Sequence, residues 1–234
     1  ADSLEQSEQR RQEFIANVSH ELKTPMTTIG GYVDGILDGT IPKDNEKHYL
    51  QIVSSEVRRL SRLVRSMLDL SRLQAQGIDE SRKTRFDLGD VMGDVLITFE
   101  QKINARGLQV SVDLPEKPVW TKADRDAITQ VVYNLLDNAI KFCPVGGNLG
   151  LILEQDGQKA RLRIRNTGQT IPPEELPLLF DRFHKADKAR SADREGWGLG
   201  LYIAKTIIGA HGGEIWATSE NGVTEFSFTL PAVR

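Results

Sequence analysis

A histidine, a glutamate and a threonine stand close together just before Pro25. In a helix, residues i and i+4 share one face, so His20 and Thr24 lie together and Glu21 lies beside the imidazole. A neutral imidazole nitrogen is a nucleophile, and a neighbouring carboxylate can accept or orient the ring proton. The zinc-protease motif His-Glu-x-x-His is excluded because Thr24 occupies its fifth position. The alternative interpretation is that His20 is an ordinary exposed helix histidine.

Two other histidines carry no comparable signal. His48 and His211 are expected to be exposed histidines on helices, without a chemical role. His211 stands before Gly212 and Gly213, a pair of residues typical of a helix end. We therefore expect His211 to act as a cation that stabilises a helix C-terminus.

Two asparagines and a lysine share one face of a strongly patterned helix. Asn134, Asn138 and Lys141 are spaced four and three residues apart, and Phe142 follows them. Amide oxygens are hard ligands suited to Mg²⁺, which prefers a few protein ligands together with phosphates. A lysine one turn further along can bind those phosphates. The alternative is a solvated polar helix face.

A glycine-rich segment precedes another predicted helix. Residues 196–201 read Gly-Trp-Gly-Leu-Gly-Leu, and such a loop lets backbone amides approach a phosphate at a helix N-terminus. It is not a Walker motif because no Gly-Lys-Ser/Thr follows, and no strand leads into a Rossmann-type turn. The preceding residues 186–195 are polar and charged, which is typical of a mobile lid.

The composition limits the class of protein that positions these residues. The chain has 234 residues, 39% of them hydrophobic and 27% charged, so we expect a real core and two domains. Thirty basic and 33 acidic residues give a net charge of −3, which offers no electrostatic case for a nucleic-acid partner. Cys143 is the single cysteine, so no intrachain disulfide can form. No apolar run approaches the roughly 20 residues that a membrane helix needs.

Residues 1–76 have the pattern of an antiparallel helical hairpin. A turn is predicted over 39–44, and Pro25 should kink the first helix. The second helix has an apolar seam with alternating three- and four-residue spacing: Leu50, Val53, Val57, Leu60, Val64 and Met67. Two helices cannot enclose a core, so we expect a homodimer in which two hairpins form a four-helix bundle. The alternative is that the hairpin docks on the second domain of its own chain.

The remainder of the chain has the pattern of a domain with both helices and strands. Residues 77–85 are predicted to be a linker, and residues 86–234 a domain of antiparallel strands with helices grouped on one face, an α+β sandwich. The predicted elements are helices over 88–105, 124–142 and 199–210, a half-buried strand over 108–114, and hairpins over 150–165 and 214–230.

Four segments, in this order, resemble motifs of one family. The segment 14–25 is similar to the H box of bacterial two-component sensor histidine kinases, and 134–142 is similar to their N box. The segments 179–183 and 196–201 are similar to the F box and the G2 box. The resemblance implies a dimerisation and phosphotransfer hairpin followed by an ATP-binding domain of the Bergerat type.

The resemblance also implies roles for individual residues. His20 would be phosphorylated from Mg-ATP and would pass the phosphoryl group to an aspartate of a response regulator. Glu21 would act on the imidazole proton as a base or orienting group, and Thr24 matches a position implicated in phosphatase activity. Asn138 and Asn134 would bind Mg²⁺. The residues that would bind the nucleotide are Asn134, Asn138, Lys141, Phe142, Asn166, Gly168, Gly196, Gly198, Leu199 and Gly200.

One motif departs from the family pattern. The G1 box usually reads Asp-x-Gly-x-Gly, with the aspartate accepting from the adenine amino group, whereas residues 166–170 read Asn-Thr-Gly-Gln-Thr. Asn166 can still accept, but it loses a charge-assisted bond, and Thr170 loses the backbone freedom of glycine. We therefore expect weaker ATP affinity.

Two alternatives to a kinase follow. The first is a pseudokinase that dimerises as a signalling scaffold with little ATP turnover, which the altered G1 box motivates. The second is a chaperone-like or topoisomerase-like ATPase, which would have no use for the His20 helix. If the chain is a kinase, the resemblance implies the cytoplasmic part of a membrane-anchored bacterial sensor, attached through segments outside this chain.

Overall fold

The computed structural model describes residues 2–76, 79–184 and 198–233. Within these residues the chain divides into two compact units, and the boundary falls between Asp69 and Leu70. No helix in the described ranges is both long and apolar enough to cross a membrane.

The first unit is a pair of long helices. Helix α1 spans Asp2–Leu37, and helix α2 starts at Lys43 and extends to Gln76, so that its residues from Leu70 onward are counted with the second unit. Tyr32 of α1 lies against Tyr49 of α2 with ring centroids 4.9 Å apart, so the two helices pack side by side. Pro25 lies inside α1, which continues through it. The predicted helical hairpin is confirmed.

The second unit is a mixed α and β domain. Its elements are β1 (Lys83–Asp87), α3 (Leu88–Thr98), α4 (Glu100–Ala105), β2 (Gln109–Asp113), β3 (Trp120–Asp124), α5 (Arg125–Phe142), β4 (Asn148–Asp156), β5 (Lys159–Thr167), α6 (Gly200–Ala210), β6 (Ile215–Glu220) and β7 (Val223–Pro231). Short 3-10 turns span Glu80–Arg82 and Leu176–Phe180. The main sheet has five strands in the order β2-β4-β5-β7-β6, and β1 pairs with β3 in a separate two-stranded sheet.

The sheet differs from the prediction in two respects. Strand β2 pairs parallel with β4, whereas the other pairs are antiparallel, so the sheet is mixed. The residues of β2 are exposed along its whole length, so the prediction of a half-buried strand is wrong. The physical reason is that β2 lies at the sheet edge and packs mainly against β4, whereas the other edge strand, β6, is also covered by a helix. The strand β1 begins at Lys83, inside the predicted linker.

The two predicted hairpins are confirmed. Strands β4 and β5 pair from Leu149 opposite Asn166 to Asp156 opposite Lys159. Strands β6 and β7 are joined by Asn221 and Gly222, with φ values of 51° and 76°. Two consecutive positive φ values are what a type I′ turn requires, which explains the asparagine-glycine pair.

Helix α5 positions most of the candidate site. The carboxylate of Asp124 caps its N-terminus by accepting from the backbone N–H groups of Asp126 and Ala127 at 3.1 and 3.2 Å. Its apolar face is buried together with α3 and α6 against one face of the five-stranded sheet. The predicted single helix over 88–105 is broken at Phe99, whose buried ring lies 4.7 Å from that of Tyr133. The architecture is the expected α+β sandwich.

His211 is not the exposed cation that the sequence suggested. Its side chain is 7% exposed, its Nε2 accepts from the backbone N–H of Asp124 at 3.0 Å, and its Nδ1 donates to the carbonyl of Ile207 at 2.8 Å. A ring nitrogen that accepts carries no proton, so the imidazole is neutral. Burial lowers the pKa of His211, in agreement with this bonding.

Candidate functional site

The candidate phosphoacceptor lies on helix α1 of the first unit. His20 is exposed, Glu21 is half-buried, and the Thr24 hydroxyl donates to the backbone carbonyl of His20 at 3.3 Å. No described hydrogen bond joins the side chains of His20 and Glu21. The imidazole is therefore open to an incoming group. His48 is also exposed, as expected.

The second constellation links two segments that are far apart in the sequence. The side-chain amide of Asn134 on α5 donates to the backbone carbonyl of Gly200, the first residue of α6, at 3.1 Å. The predicted asparagine face and the glycine-rich segment are thus in direct contact. Asn138 lies one turn further along α5 and is half-buried.

These amides fit a divalent cation. Because the nitrogen of Asn134 donates, its oxygen is left to accept or to coordinate, and the side chain of Asn138 makes no hydrogen bond to the part of the chain that the structure describes. Amide oxygens of this kind suit Mg²⁺ held jointly with phosphates. No group of three His, Cys, Asp or Glu residues in the described segments is arranged to hold a metal.

Lys141 and Phe142 form the last turn of α5. The ammonium nitrogen of Lys141 lies 5.6 Å from the ring centroid of Phe142, and Phe142 is 38% exposed. The carbonyl oxygen of Phe142 lies so close to Gly168 that an added Cβ there would be 2.9 Å away. Gly168 therefore permits a close approach between this turn and the end of β5.

Asn166 lies at the end of β5 and is 3% exposed. Its amide nitrogen donates to the backbone carbonyl of Thr167 at 3.0 Å. Its amide oxygen accepts no hydrogen bond from the residues that the structure describes. An amide oxygen can accept a hydrogen bond, so this atom is suited to a ligand that donates one.

The backbone of Thr170 does not take a conformation that would require glycine, and its effect on ATP affinity stays a prediction. It is absent from the described non-glycine residues with positive φ, so its backbone does not need glycine. Its hydroxyl accepts from the backbone N–H of Gly222 at 2.9 Å, and the carbonyl of Gly222 accepts from Gly168 at 2.8 Å. The β6–β7 turn thus holds the segment 168–170. The sequence analysis did not predict that Gly222 holds this segment, because the Asn221-Gly222 pair indicates only a hairpin turn.

The glycine-rich segment ends at the N-terminus of α6. Gly198 has φ +67°, and a Cβ at this position would lie 2.7 Å from the carbonyl oxygen of His184. Leu199 is buried at the N-cap position, where its apolar side chain offers no acceptor to the first-turn N–H groups. Such a helix end suits an anion.

A second contact at Gly198 was not anticipated. The backbone N–H of Phe183 donates to the Gly198 carbonyl at 3.1 Å, and Phe183 itself has φ 59°. A positive φ at a bulky residue is rare, and no sequence signal announces it. Gly196 and the predicted lid over 186–195 lie outside the described residues.

Two family models match the two units. Residues 10–76 match the His Kinase A (phospho-acceptor) domain, and residues 123–234 match the Histidine kinase-, DNA gyrase B-, and HSP90-like ATPase. The fold and the site thus define a class of proteins in which a phosphoacceptor hairpin is followed by an ATPase-type domain.

The individual relatives agree. Sensor protein SrrB of Staphylococcus aureus is 38% identical over 226 residues, which cover 96% of this chain and 38% of the relative. Acinetobacter baumannii histidine kinase AdeS has a TM-score of 0.75 at 29% identity and covers 92% of this chain and 98% of its own. Histidine kinase ThkA, in complex with response regulator protein TrrA, has a TM-score of 0.75 at 28% identity, with 99% and 66% covered.

These matches establish the family. The chain belongs to the two-component sensor histidine kinases and comprises their catalytic core. It spans about 38% of the length of the curated relatives that it matches.

Proposed function

We propose that this chain transfers the γ-phosphoryl group of ATP to His20 and then passes it to an aspartate of a response regulator. The observation that supports this most directly is the hydrogen bond from Asn134 to Gly200, which joins the helix face that we assign to Mg²⁺ to the helix end that we assign to the phosphates. The exposed imidazole of His20 supplies the acceptor in the same chain.

The chemistry at His20 is a nucleophilic displacement. The lone pair of a neutral ring nitrogen attacks the γ-phosphorus, an N–P bond forms, the bond to the β,γ-bridging oxygen breaks, and ADP leaves. Glu21 follows His20 on the same helix and would orient the imidazole or accept its proton. In the second step a carboxylate oxygen of the regulator attacks the phosphorus and the N–P bond breaks.

The second unit would hold the nucleotide. Lys141 and the N-terminus of α6 would bind phosphate oxygens, and the amide oxygen of Asn166 would accept from the amino group of the base. Asn134 and Asn138 would hold Mg²⁺. When bound, the metal ion neutralises charge on the phosphates during transfer.

The proposal includes a homodimer. Leu50, Val57 and Val64, at seven-residue intervals on α2, are 50%, 47% and 43% exposed. A regular apolar stripe of this kind on a two-helix unit is typical of a coiled-coil-like interface. A second copy of the hairpin would cover it and complete a four-helix bundle. The response regulator would then dock beside His20, because its aspartate must reach the imidazole.

Phosphatase activity on the regulator is a second part of the proposal, supported by one hydrogen bond. The hydroxyl proton of Thr24 is donated to the carbonyl of His20. The lone pairs of the oxygen therefore remain available to accept from a water molecule, which Thr24 would place for hydrolysis.

A labelling experiment tests the kinase. The protein is incubated with Mg²⁺ and γ-labelled ATP, and we expect acid-labile label on the wild type and on the control His48→Gln, which changes the other exposed hairpin histidine. We expect no label on His20→Gln. An unlabelled wild type would refute the kinase and favour the scaffold, and a labelled His20→Gln would refute His20 as the acceptor.

A further inference from the structure

We propose that Arg106 is a positioning residue for the nucleotide site, acting through the last turn of helix α5. This inference rests on the proposed function, since it concerns how Lys141 and Phe142 are held for the nucleotide. Arg106 stands at the end of α4 and lies outside all of the motifs that resemble those of the family.

The guanidinium group bridges two backbone carbonyls. Its Nη1 donates to the carbonyl of Lys141 at 3.2 Å, and its Nη2 donates to the carbonyl of Cys143 at 2.5 Å. Carbonyls at a helix C-terminus lack intrahelical partners and form the negative end of the helix dipole. A planar, charged fork satisfies two of them at once, which a single ammonium group cannot do in the same geometry.

The backbone around Arg106 strengthens the attachment. The carbonyl of Arg106 accepts from the N–H of Gly146 at 2.9 Å, and the N–H of Gln109 donates to the carbonyl of Gly147 at 2.8 Å. Gly107, with φ +60°, turns the chain sharply between these two bonds. The α4–β2 turn therefore holds the α5–β4 connection through a side chain and through the backbone.

The two carbonyls bonded by Arg106 stand on either side of Phe142. Fixing these two carbonyls restricts the orientation of the peptide planes on either side of Phe142, where the chain leaves helix α5. The carbonyl of Phe142 is in turn close to Gly168, at the opposite side of the turn. Without the fork, the last turn of α5 would fray, and the Lys141 ammonium group would no longer be held toward the phosphates.

The experiment compares Arg106→Ala and Arg106→Lys with the matched control Lys102→Ala. Lys102 also connects α4 to α5, through an ion pair with Asp137 at 2.9 Å, but it bonds an exposed side chain and not the helix end. We expect both Arg106 variants to bind ATP at least about tenfold more weakly, since this factor corresponds to the lower end of what a hydrogen bond to a charged group contributes. Adenosine affinity should change little, and the control should bind ATP like the wild type.

A chemical rescue separates positioning from general destabilisation. Methylguanidinium fits the space vacated in Arg106→Ala and should restore ATP affinity, whereas methylammonium at the same concentration should not. If Arg106→Ala does not fold, ATP affinity of Arg106→Lys decides the matter. Wild-type ATP affinity in that variant, or in a folded Arg106→Ala, would overturn the role of Arg106. A folded wild type that binds no ATP would instead refute the proposed function.

Discussion

Replacing Asn166 by aspartate is the most direct test of the nucleobase contact. The side chain is 3% exposed, and its nitrogen donates to the carbonyl of Thr167 at 3.0 Å. The oxygen takes no part in that hydrogen bond and is the atom that we assign to the amino group of adenine. Aspartate at this position keeps the acceptor, adds a negative charge, and loses the donor.

The two consequences have opposite signs. A charge-assisted hydrogen bond to the adenine amino group is worth about 1 kcal/mol more than a neutral one, which corresponds to about fivefold in Kd. The second carboxylate oxygen would face the Thr167 carbonyl, so that two partly buried acceptors meet without a proton between them. An unmade buried hydrogen bond costs about 1–3 kcal/mol, so the free energy of unfolding of the nucleotide-free protein should fall by that amount.

Calorimetric titration and chemical unfolding measure both effects. We expect Asn166→Asp to bind ATP about fivefold more tightly, with no gain for ITP, whose base carries an oxo group in place of the amino group. The nucleotide-free variant should unfold at lower denaturant concentration than the wild type. Asn104→Asp, an exposed position on α4, is the control and should change neither quantity. Unchanged ATP affinity in Asn166→Asp would refute the base contact, and an equal gain for ITP would refute the amino group as its partner.

Two further outcomes can be measured on the same protein. Burial, and to a smaller extent Lys83, lowers the pKa of His211 below its usual value of 6.5, although the Ile207 carbonyl and Asp124 oppose this shift. The unfolded state therefore binds the proton first as the pH falls, and the free energy of unfolding should decrease below about pH 6.5. His211→Gln should remove this part of the pH dependence from a series of denaturation curves. An unchanged pH dependence in His211→Gln would contradict the assignment to His211. Val57→Glu should convert the dimer to a monomer in light scattering because it places a charge in the exposed stripe, whereas Arg58→Glu, at the adjacent exposed position, should leave the dimer intact.

The parts of the fold that could be predicted are those with local signals. The hairpin β6–β7 follows from the φ requirement of Asn221 and Gly222, and helix α5 follows from the cap at Asp124 and its apolar period. The pairing of β1 with β3 could not be predicted, since two helices and strand β2 separate these strands in the sequence and β1 has five residues. The parallel direction of β2 was missed because alternation reports burial and carries no direction.

The candidate site shows the same limit. The common face of Asn134 and Asn138 is a local property of a helix and was predicted from spacing alone. The contact between Asn134 and Gly200 joins positions 66 residues apart, and only the resemblance to a family suggested it. Arg106 could not be found in this way, because an arginine before a helix-terminating glycine has no distinctive pattern.

The structure also changes the weight of the two departures in the G1 segment. Thr170 was expected to weaken nucleotide binding through its backbone, but it has no positive φ, and its hydroxyl accepts a hydrogen bond from Gly222. It therefore adds a connection between the β6–β7 turn and the segment 168–170. The case for a scaffold without ATP turnover then depends on Asn166 alone. Because the amide oxygen of Asn166 can still accept a hydrogen bond, the expected consequence is a reduced ATP affinity and not its loss, so a kinase is the better interpretation.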